Sequence, residues 1–358
     1  MNRTAGMNAG QTIGFIDGQQ VVGLDIAKNV FQLHTVDMET GEIVNIQLKR
    51  AKVLLHFANR SPCLIGIEAC GGAHHWARKL QALGHSVRLI HAKAVRPFVT
   101  GNKTDATDAR AIWLAVQQPG TKFVGIKTLQ QQATLVLHRQ RELLMKTKTM
   151  YSNALRGLLY EFGVTFAKGK KALLGEIEAA LQSLANDIPR CVLESLREQV
   201  QRIAQIEKDI KAIEQRLAQQ LSDDENMKRV AQIPGVGLLT ATAAIATMGD
   251  VRAFKSGRQL CAWLGLVPKQ RGTGGKVQLL GISKRGDNYL RALLIHGARS
   301  VLTHSKQPGP WLEQLKARRP LNVAIVAQAA KMARTIWAMT AKQQDYQRGY
   351  QSVRPQAA

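Results

Sequence analysis

The sequence predicts a mixed α/β domain, then a helical coiled-coil region, then a mostly helical C-terminal domain. Three strand-like runs follow one another at 21–27, 30–36 and 42–48, separated only by short turns. Two further runs, at 63–69 and 85–92, alternate with helical segments. A three-strand meander followed by alternating helix and strand is typical of a mixed sheet.

Helical segments are predicted between and after these strands. We expect short helices near 51–59 and 74–83, a helix that opens at 104–108, and a long helix over about 126–162. The predicted division is a loose leader over 1–18, the α/β domain over 19–165, the coiled-coil and dimerisation region over 166–226, the C-terminal domain over 227–345, and a flexible tail over 346–358.

A helical seam is predicted between about 190 and 221, because apolar residues recur there at spacings of three and four with charges between them. Its members are Leu196, Val200, Ile203, Ile206, Ile210, Ile213 and Leu217. Two alternatives fit this seam. It is either an antiparallel hairpin packed inside one chain, or a coiled-coil arm that joins two chains. The segment 222–230 after it reads as a hinge.

Charge indicates the partner. The chain of 358 residues has 50 Lys and Arg against 25 Asp and Glu, a formal charge of +25. Such an excess favours a nucleic acid through counterion release, although a ribosome-associated or merely basic protein has a similar balance. Aromatic residues make up only 5%, which favours contacts to a duplex backbone or a folded RNA over stacking on single-stranded bases.

The cellular compartment is predicted from the disulfide, signal-peptide and membrane-span patterns that the sequence does not show. The four cysteines show neither the close pairs of a zinc site nor the density of a disulfide scaffold. The first 15 residues have no apolar signal-peptide core. The uncharged stretch 231–249 contains proline, glycines and threonines, which make it a poor membrane span, and no basic amphipathic helix stands out. We expect a cytoplasmic protein with no membrane partner.

Four carboxylates are the candidate catalytic residues. Asp25 and Glu68 each follow an apolar, strand-like run, and Asp105 and Asp108 lie three residues apart, so on a helix they share one face. Phosphoryl transfer uses hard divalent cations held by oxygen ligands, and four such groups can hold a pair of Mg²⁺ ions. Each residue also has a plain structural alternative: a strand end for Asp25, and helix capping for the other three.

Basic and glycine-rich segments are the candidate nucleic-acid contacts. The turn IPGVG at 233–237 resembles a helix-hairpin-helix, whose glycine amides approach phosphate, although a plain helix–helix turn fits as well. The stretch 269–286 reads as a cationic loop between helices. The predicted nucleic-acid-binding residues are Lys103, Arg139, Arg141, Gly235, Gly237, Lys269, Arg271, Lys276, Lys284 and Arg285.

Five motifs together resemble a known family. They are GLDIAKN, GIEACGG, NKTDATDAR, IPGVG and the block LVPKQRGTGGK with GISKRGDNYLR. In this order they resemble the DEDD transposases of bacterial insertion sequences, in the insertion-sequence family numbered one-ten and its eleven-eleven subgroup, with Piv-type DNA invertases as relatives. The resemblance runs from about 20 to about 340.

The resemblance implies a fold and a reaction. It implies a RuvC-like, ribonuclease H-like first domain, in whose sheet the strands that end at Asp25 and Glu68 are neighbours. In this domain Asp25, Glu68, Asp105 and Asp108 form the catalytic tetrad. It implies Mg²⁺, with Mn²⁺ as a substitute, and dimers that assemble into tetramers with a composite site. It further implies donor and target DNA as substrates and a structured bridge RNA as guide.

One residue departs from the family pattern. The family forms a covalent link to DNA through a serine, and the matching position is Thr273. Three alternatives follow: Thr273 attacks slowly because its methyl group crowds the oxygen, Ser283 replaces it, or this copy is weakened or inactive. The competing functions are a RuvC-like nuclease or Holliday-junction resolvase that uses water, and a basic nucleic-acid-binding scaffold without catalysis.

Overall fold

The computed structural model describes residues 15–16, 19–37, 39–274 and 276–350. These residues form two compact units, the first ending at Thr128 and the second beginning at Leu129. The predicted boundaries at 165 and 226 both fall inside the second unit and stay predictions. Most of the predicted leader (1–14 and 17–18) and the last eight residues of the predicted tail (351–358) lie outside the described residues.

The first unit is built on one mixed sheet. Its strands are β1 (Phe15–Ile16), β2 (Gln19–Asp25), β3 (Val30–Val36), β4 (Ile43–Lys49), β5 (Leu64–Glu68), β6 (Ser86–Ile90) and β7 (Phe123–Val124). They are ordered β4-β3-β2-β5-β6-β7, with β1 paired to β2. The β4-β3-β2 meander is antiparallel, β2-β5-β6 is parallel and β7 is antiparallel to β6. The predicted mixed sheet is confirmed.

Helices cover this sheet. They are α1 (Val53–Ala58), α2 (Ala73–Ala82), α3 (Ala92–Val95) and α4 (Asp105–Gln117). One apolar cluster joins β2, β3 and β5 to α1 and α2, and includes Phe31, Phe57 and Trp76. A second cluster joins the sheet to α3 and α4 through residues such as Ile112. The central strands are therefore buried on both sides, as parallel strands usually are.

The second unit is mostly helical, as predicted. Its elements are α5 (Leu129–Tyr160), α6 (Lys170–Ser183), α7 (Arg190–Asp223), α8 (Glu225–Ala231), α9 (Leu238–Met248), α10 (Gly257–Trp263), β8 (Pro268–Thr273), β9 (Lys276–Ile282), α11 (Asn288–His304), α12 (Pro310–Arg318) and α13 (Leu321–Lys342). One large apolar cluster joins α8–α11 to α12 and α13.

The predicted seam lies on α7 and is buried inside a single chain. Every seam residue except Val200 is buried, and Val200 is partly buried against the same cluster as Ile203. Polar contacts fix α7 beside α5: the Arg141 guanidinium contacts a Glu214 carboxylate oxygen at 2.7 Å. The intramolecular alternative therefore holds for this seam.

Two segments differ from their predictions. The stretch 269–286 was expected to be a loop, which is wrong: most of it forms the antiparallel β8–β9 hairpin, turning near Gly274 (φ 58°). All six β8 residues are exposed, so no alternation of buried side chains indicates a strand. The expected hinge is a break at Asp224, whose carboxylate accepts a hydrogen bond from the Met227 amide at 2.9 Å and caps α8.

The sequence predicts neither a membrane-spanning helix nor disulfide-bonded cysteines. Among the described residues, no helix combines the length and the apolar character that crossing a bilayer requires. The four cysteines are unpaired, with Cys63 and Cys261 buried and Cys70 and Cys191 exposed.

Candidate active site

Sheet topology brings the first two carboxylates together. The parallel strands β2 and β5 are direct neighbours, and their register pairs Gly23 with Gly66 and Leu24 with Ile67. Asp25 and Glu68 are the next residues along each strand, and each ends its strand. The carboxyl ends of parallel strands meet at one edge of the sheet, where ligands commonly bind. The predicted adjacency of these two strands is confirmed.

Glycines bring α4 unusually close to this edge. A Cβ atom on Gly23 would collide with the Ala109 carbonyl oxygen and lie 2.7 Å from the Trp113 backbone nitrogen. A Cβ atom on Gly66 would lie 3.0 Å from Cβ of Val116. The Trp113 indole N–H also donates to the Val21 carbonyl oxygen at 3.1 Å. The helix that carries the second pair of carboxylates therefore packs directly on the backbone of β2.

Helix capping is done by residues other than the carboxylates. Thr104 is the N-cap of α4: its hydroxyl accepts from the Thr107 amide at 3.2 Å, and the Thr107 hydroxyl accepts from the Thr104 amide at 2.9 Å. Asp105 and Asp108 are the first and fourth residues of α4. The N-cap of α2 is Gly72, and no side chain caps it. None of Glu68, Asp105 and Asp108 is therefore the N-cap of a helix, although Asp105 and Asp108 lie in the first turn of α4.

The negative charges of the other three carboxylates act on Asp25. The pKa of Asp25 is raised from 3.8 to about 6, first by burial and then by the negative charges of Asp108, Asp105 and Glu68. Lys103 opposes this rise, and its ammonium lies 3.8 Å from a carboxylate oxygen of Asp108. Asp25 is thus the central member of the group.

The donor set suits a hard divalent cation. Oxygen ligands from several carboxylates are what Mg²⁺ prefers, and the attraction of such an ion would offset the mutual repulsion that, after burial, raises the pKa of Asp25. In the described part of the chain, no three His, Cys, Asp or Glu side chains converge on one coordination point. Mutual repulsion of the carboxylates favours this spread arrangement.

The hairpin of the second unit presents the predicted nucleophile. Thr273 ends β8 and pairs with Lys276 across the hairpin, while Arg271 pairs with Gln278. Alternate residues of a strand share a face, so the Thr273 hydroxyl lies on a face with two cations. A depression of about 340 Å³ at this end of the hairpin is lined by Gln270, Arg271, Gly272, Thr273, Gly274, Lys276 and Val277. Such a surface can hold a phosphodiester beside the hydroxyl.

The segment after β9 is attached to the core by its backbone. The Ser283 amide donates to the Val267 carbonyl oxygen at 2.8 Å, and the buried Arg291 guanidinium donates to the Leu264 and Arg285 carbonyl oxygens at 2.9 and 2.8 Å. A Cβ atom on Gly286 would collide with the Trp263 carbonyl oxygen, so the segment needs glycine there. This packing leaves Lys284 and Arg285 exposed beside the base of the hairpin.

Comparison with known proteins identifies the family. Residues 22–163 match the DEDD transposases of IS110 elements, and residues 227–312 match the family described as Transposase IS116/IS110/IS902 family. A probable family 20 transposase of Pseudomonas aeruginosa is 42% identical over 333 residues, which cover 92% of this chain and 98% of that protein. The chain belongs to the IS110 family of insertion-sequence transposases.

Other relatives cover the transposase to a similar extent. The transposase for insertion sequence element IS1111A of Coxiella burnetii is 40% identical over 342 residues, which cover 92% of each chain. The transposase for IS1328 of Yersinia enterocolitica is 35% identical over 324 residues, which cover 89% of this chain and 96% of that protein. The resemblance inferred from the motifs is confirmed, and so is its conclusion that the protein is a transposase.

The remaining residues of the transposase that were predicted to contact nucleic acid differ in exposure and packing. Arg139 and Lys269 are exposed, whereas Arg141 is held by Glu214. The predicted IPGVG turn does connect two helices, α8 and α9. Gly235, however, has φ 85° and packs so closely on Gly297 of α11 that a Cβ atom would lie 2.7 Å from the Gly297 carbonyl oxygen. Gly237 meets no such neighbour.

Three residues that matter to the site went unpredicted. Gly23 acts by having no side chain, and Thr104 acts through its capping hydroxyl. Only a known pairing of α4 with β2 would indicate the role of Gly23. The role of Thr104 was detectable, because Thr-Asp-Ala-Thr contains a capping signal one residue ahead of Asp105. Cys70 lies near the carboxylates: the pKa of its thiol is raised by burial and then by the charges of Glu68 and Asp25.

Proposed function

We propose that this transposase cuts and exchanges DNA strands of its insertion sequence, with Mg²⁺ held by Asp25, Glu68, Asp105 and Asp108 and with the Thr273 hydroxyl as nucleophile. The observation that supports this best is the raised pKa of Asp25, because partial burial and the charges of three other carboxylates act together on one half-buried carboxyl group at the end of β2. A carboxyl pKa perturbed by neighbouring charges is common at functional sites, and a DEDD transposase is typically metal-dependent.

The residues of the carboxylate edge have separate tasks. Asp25 and Glu68, on adjacent strands, would supply the rigid ligands, and Asp105 and Asp108, on the first turn of α4, would close the site. A bound Mg²⁺, for which Mn²⁺ can substitute, supplies neutralisation of phosphate charge and orientation of the reacting oxygens. Lys103, 3.8 Å from Asp108, limits repulsion among the carboxylates and can turn to a DNA phosphate.

The hairpin supplies the nucleophile. The Thr273 Oγ1 loses its proton to solvent and forms a bond to phosphorus, one bridging P–O bond of the DNA breaks, and the leaving deoxyribose oxygen takes up a proton. Arg271 and Lys276, on the same face of the hairpin, hold the non-bridging oxygens through charge-assisted hydrogen bonds. The product is a covalent phosphothreonine link, which a second DNA end can reverse during strand exchange.

The partners follow from charge and from the family resemblance. A formal charge of +25 suits both donor and target DNA and a structured RNA. The family resemblance supports a bridge RNA as guide and a homodimer that assembles into a tetramer. Exposed Arg139, Lys269, Lys284 and Arg285 are available for phosphate contacts. Purification from cells tests the guide: a discrete structured RNA should accompany the protein, whereas random fragments would contradict RNA guidance.

A suicide DNA substrate tests the chemistry. A nick near the scissile phosphate lets the leaving fragment diffuse away, so a covalent adduct accumulates, and peptide mapping should place it on Thr273. Thr273→Ala should abolish the adduct, and Ser283→Ala, with a matched loss of hydroxyl, should retain it. An adduct on Ser283 would reassign the nucleophile. Unchanged Mg²⁺-dependent cleavage by Thr273→Ala would instead establish a RuvC-like endonuclease or resolvase that uses water.

A further inference from the structure

Arg50, the residue directly after β4, is held over an aromatic surface. Its guanidinium carbon lies 5.0 Å from the centroid of the Trp76 ring and 5.9 Å from that of the Phe31 ring, and both rings are buried. The Arg50 amide donates to the Asn29 carbonyl oxygen at 2.8 Å, and its Nη1 lies 3.5 Å from the Lys28 carbonyl oxygen. The side chain is thus fixed by stacking while Arg50 stays exposed to solvent.

The charge of Arg50 has no acidic partner in the part of the chain that the structure describes. None of the ion pairs between described residues includes Arg50. Other cations lie nearby instead: partial burial lowers the pKa of His75 first, and the charges of Lys79, Arg78 and Arg50 lower it further. A guanidinium that is fixed, exposed and surrounded by cations attracts an anion, and its fork of N–H donors matches the oxygens of a phosphate.

The sheet places Arg50 at the edge that carries the carboxylates. Lys49, the last residue of β4, pairs with Val30, the first residue of β3, and the turn 26–29 leads from Asp25 to Val30. Arg50 therefore lies at the end of the sheet where Asp25 ends β2. β4 is two strands away from β2, roughly 10 Å across the sheet, because neighbouring strands are about 4.8 Å apart.

The carboxylates and Arg50 lie on different faces of this edge. Asp25 and Glu68 turn toward the face that α4 covers, because the residue before each of them packs under α1 and α2. The Arg50 guanidinium lies against Trp76 of α2, on the opposite face. A nucleic-acid strand that passes over the edge from the α4 face therefore meets the carboxylates first and Arg50 beyond them.

We propose that Arg50 binds a non-reacting backbone phosphate of the DNA strand that is cut at the carboxylate edge, and so fixes where this strand crosses the sheet. The bound phosphate lies about three nucleotides from the scissile one, since a DNA strand advances about 3.4 Å per nucleotide along the helix axis. Stacking on Trp76 orients the guanidinium beforehand, so little side-chain entropy is lost on binding. The inference rests on the proposed function for the position of the cut, and it adds a phosphate-binding residue.

Neutral phosphates test the contact. A donor-end DNA series, in which each phosphate in turn is replaced by a methylphosphonate, is titrated with the protein and any RNA that accompanies it, in EDTA so that no strand is cut. Wild-type affinity should fall about tenfold when one phosphate, roughly three nucleotides from the cleavage position, is neutral. In Arg50→Ala the same modification should have no further effect, because the side chain that contacts this phosphate is gone.

Two further substitutions separate phosphate binding from packing. Arg50→Met keeps an unbranched side chain over Trp76 without its charge, so it should bind DNA as weakly as Arg50→Ala, with the slope of log affinity against log salt reduced by about 1. Arg50→Lys keeps the charge but not the planar fork, so it should lose only about threefold in affinity and retain the salt slope.

The matched control is Arg88→Ala. It removes an arginine that is stacked at 4.9 Å over Phe123, two residues before the end of β6. This variant loses the same charge and the same kind of ring contact, so it should keep the wild-type response to every methylphosphonate. Thermal unfolding of all variants checks that each remains folded at the temperature of the titrations.

Each result decides the inference. Wild-type affinity in Arg50→Met would show that Arg50 only covers Trp76, and a methylphosphonate effect that persists in Arg50→Ala would assign that phosphate to another residue; either would overturn the inference. Unchanged DNA affinity together with a loss of co-purifying RNA would also overturn it. An Arg50-dependent phosphate in DNA that Mg²⁺ does not cause to be cut would refute the proposed chemistry and leave the phosphate contact standing. Mg²⁺-dependent cutting without such a phosphate would do the reverse.

Discussion

The carboxylate edge and the β8–β9 hairpin carry the two proposed halves of one reaction, and they are built in opposite ways. Behind Asp25 and Glu68 lie strand residues that are completely buried, such as Leu24 and Ile67. Around Thr273 every residue of β8 is exposed, and the hairpin is held mainly by its own ladder. The core therefore fixes where the metal ligands lie, whereas a local turn fixes where the hydroxyl lies. Substitutions at the edge should alter stability and catalysis together, and substitutions in the hairpin should alter catalysis alone.

The largest expected effect comes from Asp25→Asn. It removes the central charge without changing the size of the side chain, so DNA cleavage with Mg²⁺ should fall by at least about a thousandfold, a barrier increase of about 4 kcal/mol. Cleavage of a labelled donor end measures this. The control is Glu176→Gln, an equal loss of charge at an exposed position of α6, which should cleave normally. If Asp25→Asn cleaves DNA as fast as the wild type, the catalytic metal does not bind at this edge.

Gly23→Ala should disrupt the carboxylate edge through a steric clash alone, without a change of charge. Its Cβ atom would collide with the Ala109 carbonyl oxygen, so α4 must shift from β2 or the strand must bend, at a cost of about 3 kcal/mol. Thermal unfolding should show a lower melting temperature, and Mg²⁺-dependent cleavage should fall with it because Asp105 and Asp108 move with α4. Gly125→Ala is the control, since nothing lies within 4 Å of its added Cβ. An unchanged melting temperature would show that α4 can retreat without cost.

The sequence predicted the edge well because burial imposes patterns. Strands with apolar cores, separated by turns, could be recognised by composition, and the adjacency of β2 and β5 followed from the expected sheet. The approach of α4 over Gly23 was not predictable, because it depends on which helix crosses which strand. The hairpin was mistaken for a loop for the opposite reason. Both faces of β8 are exposed, so none of its side chains has to be apolar. Its glycines and cations are typical of a loop and do not indicate strand pairing.

The seam on α7 shows a similar limit of prediction from sequence. The seam was recognised from its spacing, yet spacing alone did not say whether the partner helix belongs to the same chain. Which apolar face of a helix is used internally is a tertiary fact, and it decides which face is left for another molecule.

Metal-free stability should depend on pH through Asp25. Its pKa is about 6 in the folded chain against 3.8 in the reference state, so the folded state binds the proton more tightly. The stabilisation from this group is complete below about pH 3.8 and is lost as pH rises through about 6. In EDTA at pH 8, Asp25→Asn should therefore be more stable than the wild type by about 2 kcal/mol, and the gap should narrow at pH 5. Urea unfolding measures it. Adding Mg²⁺ should stabilise only the wild type, and a gap of equal size at both pH values would contradict the raised pKa.

The smallest expected effect is a gain of activity in the hairpin. Thr273→Ser keeps the hydroxyl and removes the methyl group that crowds it, so the adduct should form about threefold to tenfold faster, a barrier decrease of about 1 kcal/mol. The melting temperature should stay the same, because Thr273 is exposed and held only by the ladder. Thr303→Ser on the exposed side of α11 is the control and should change neither quantity. Slower adduct formation by Thr273→Ser would show that the methyl group positions the hydroxyl. The hairpin would then depend on packing, as the carboxylate edge does.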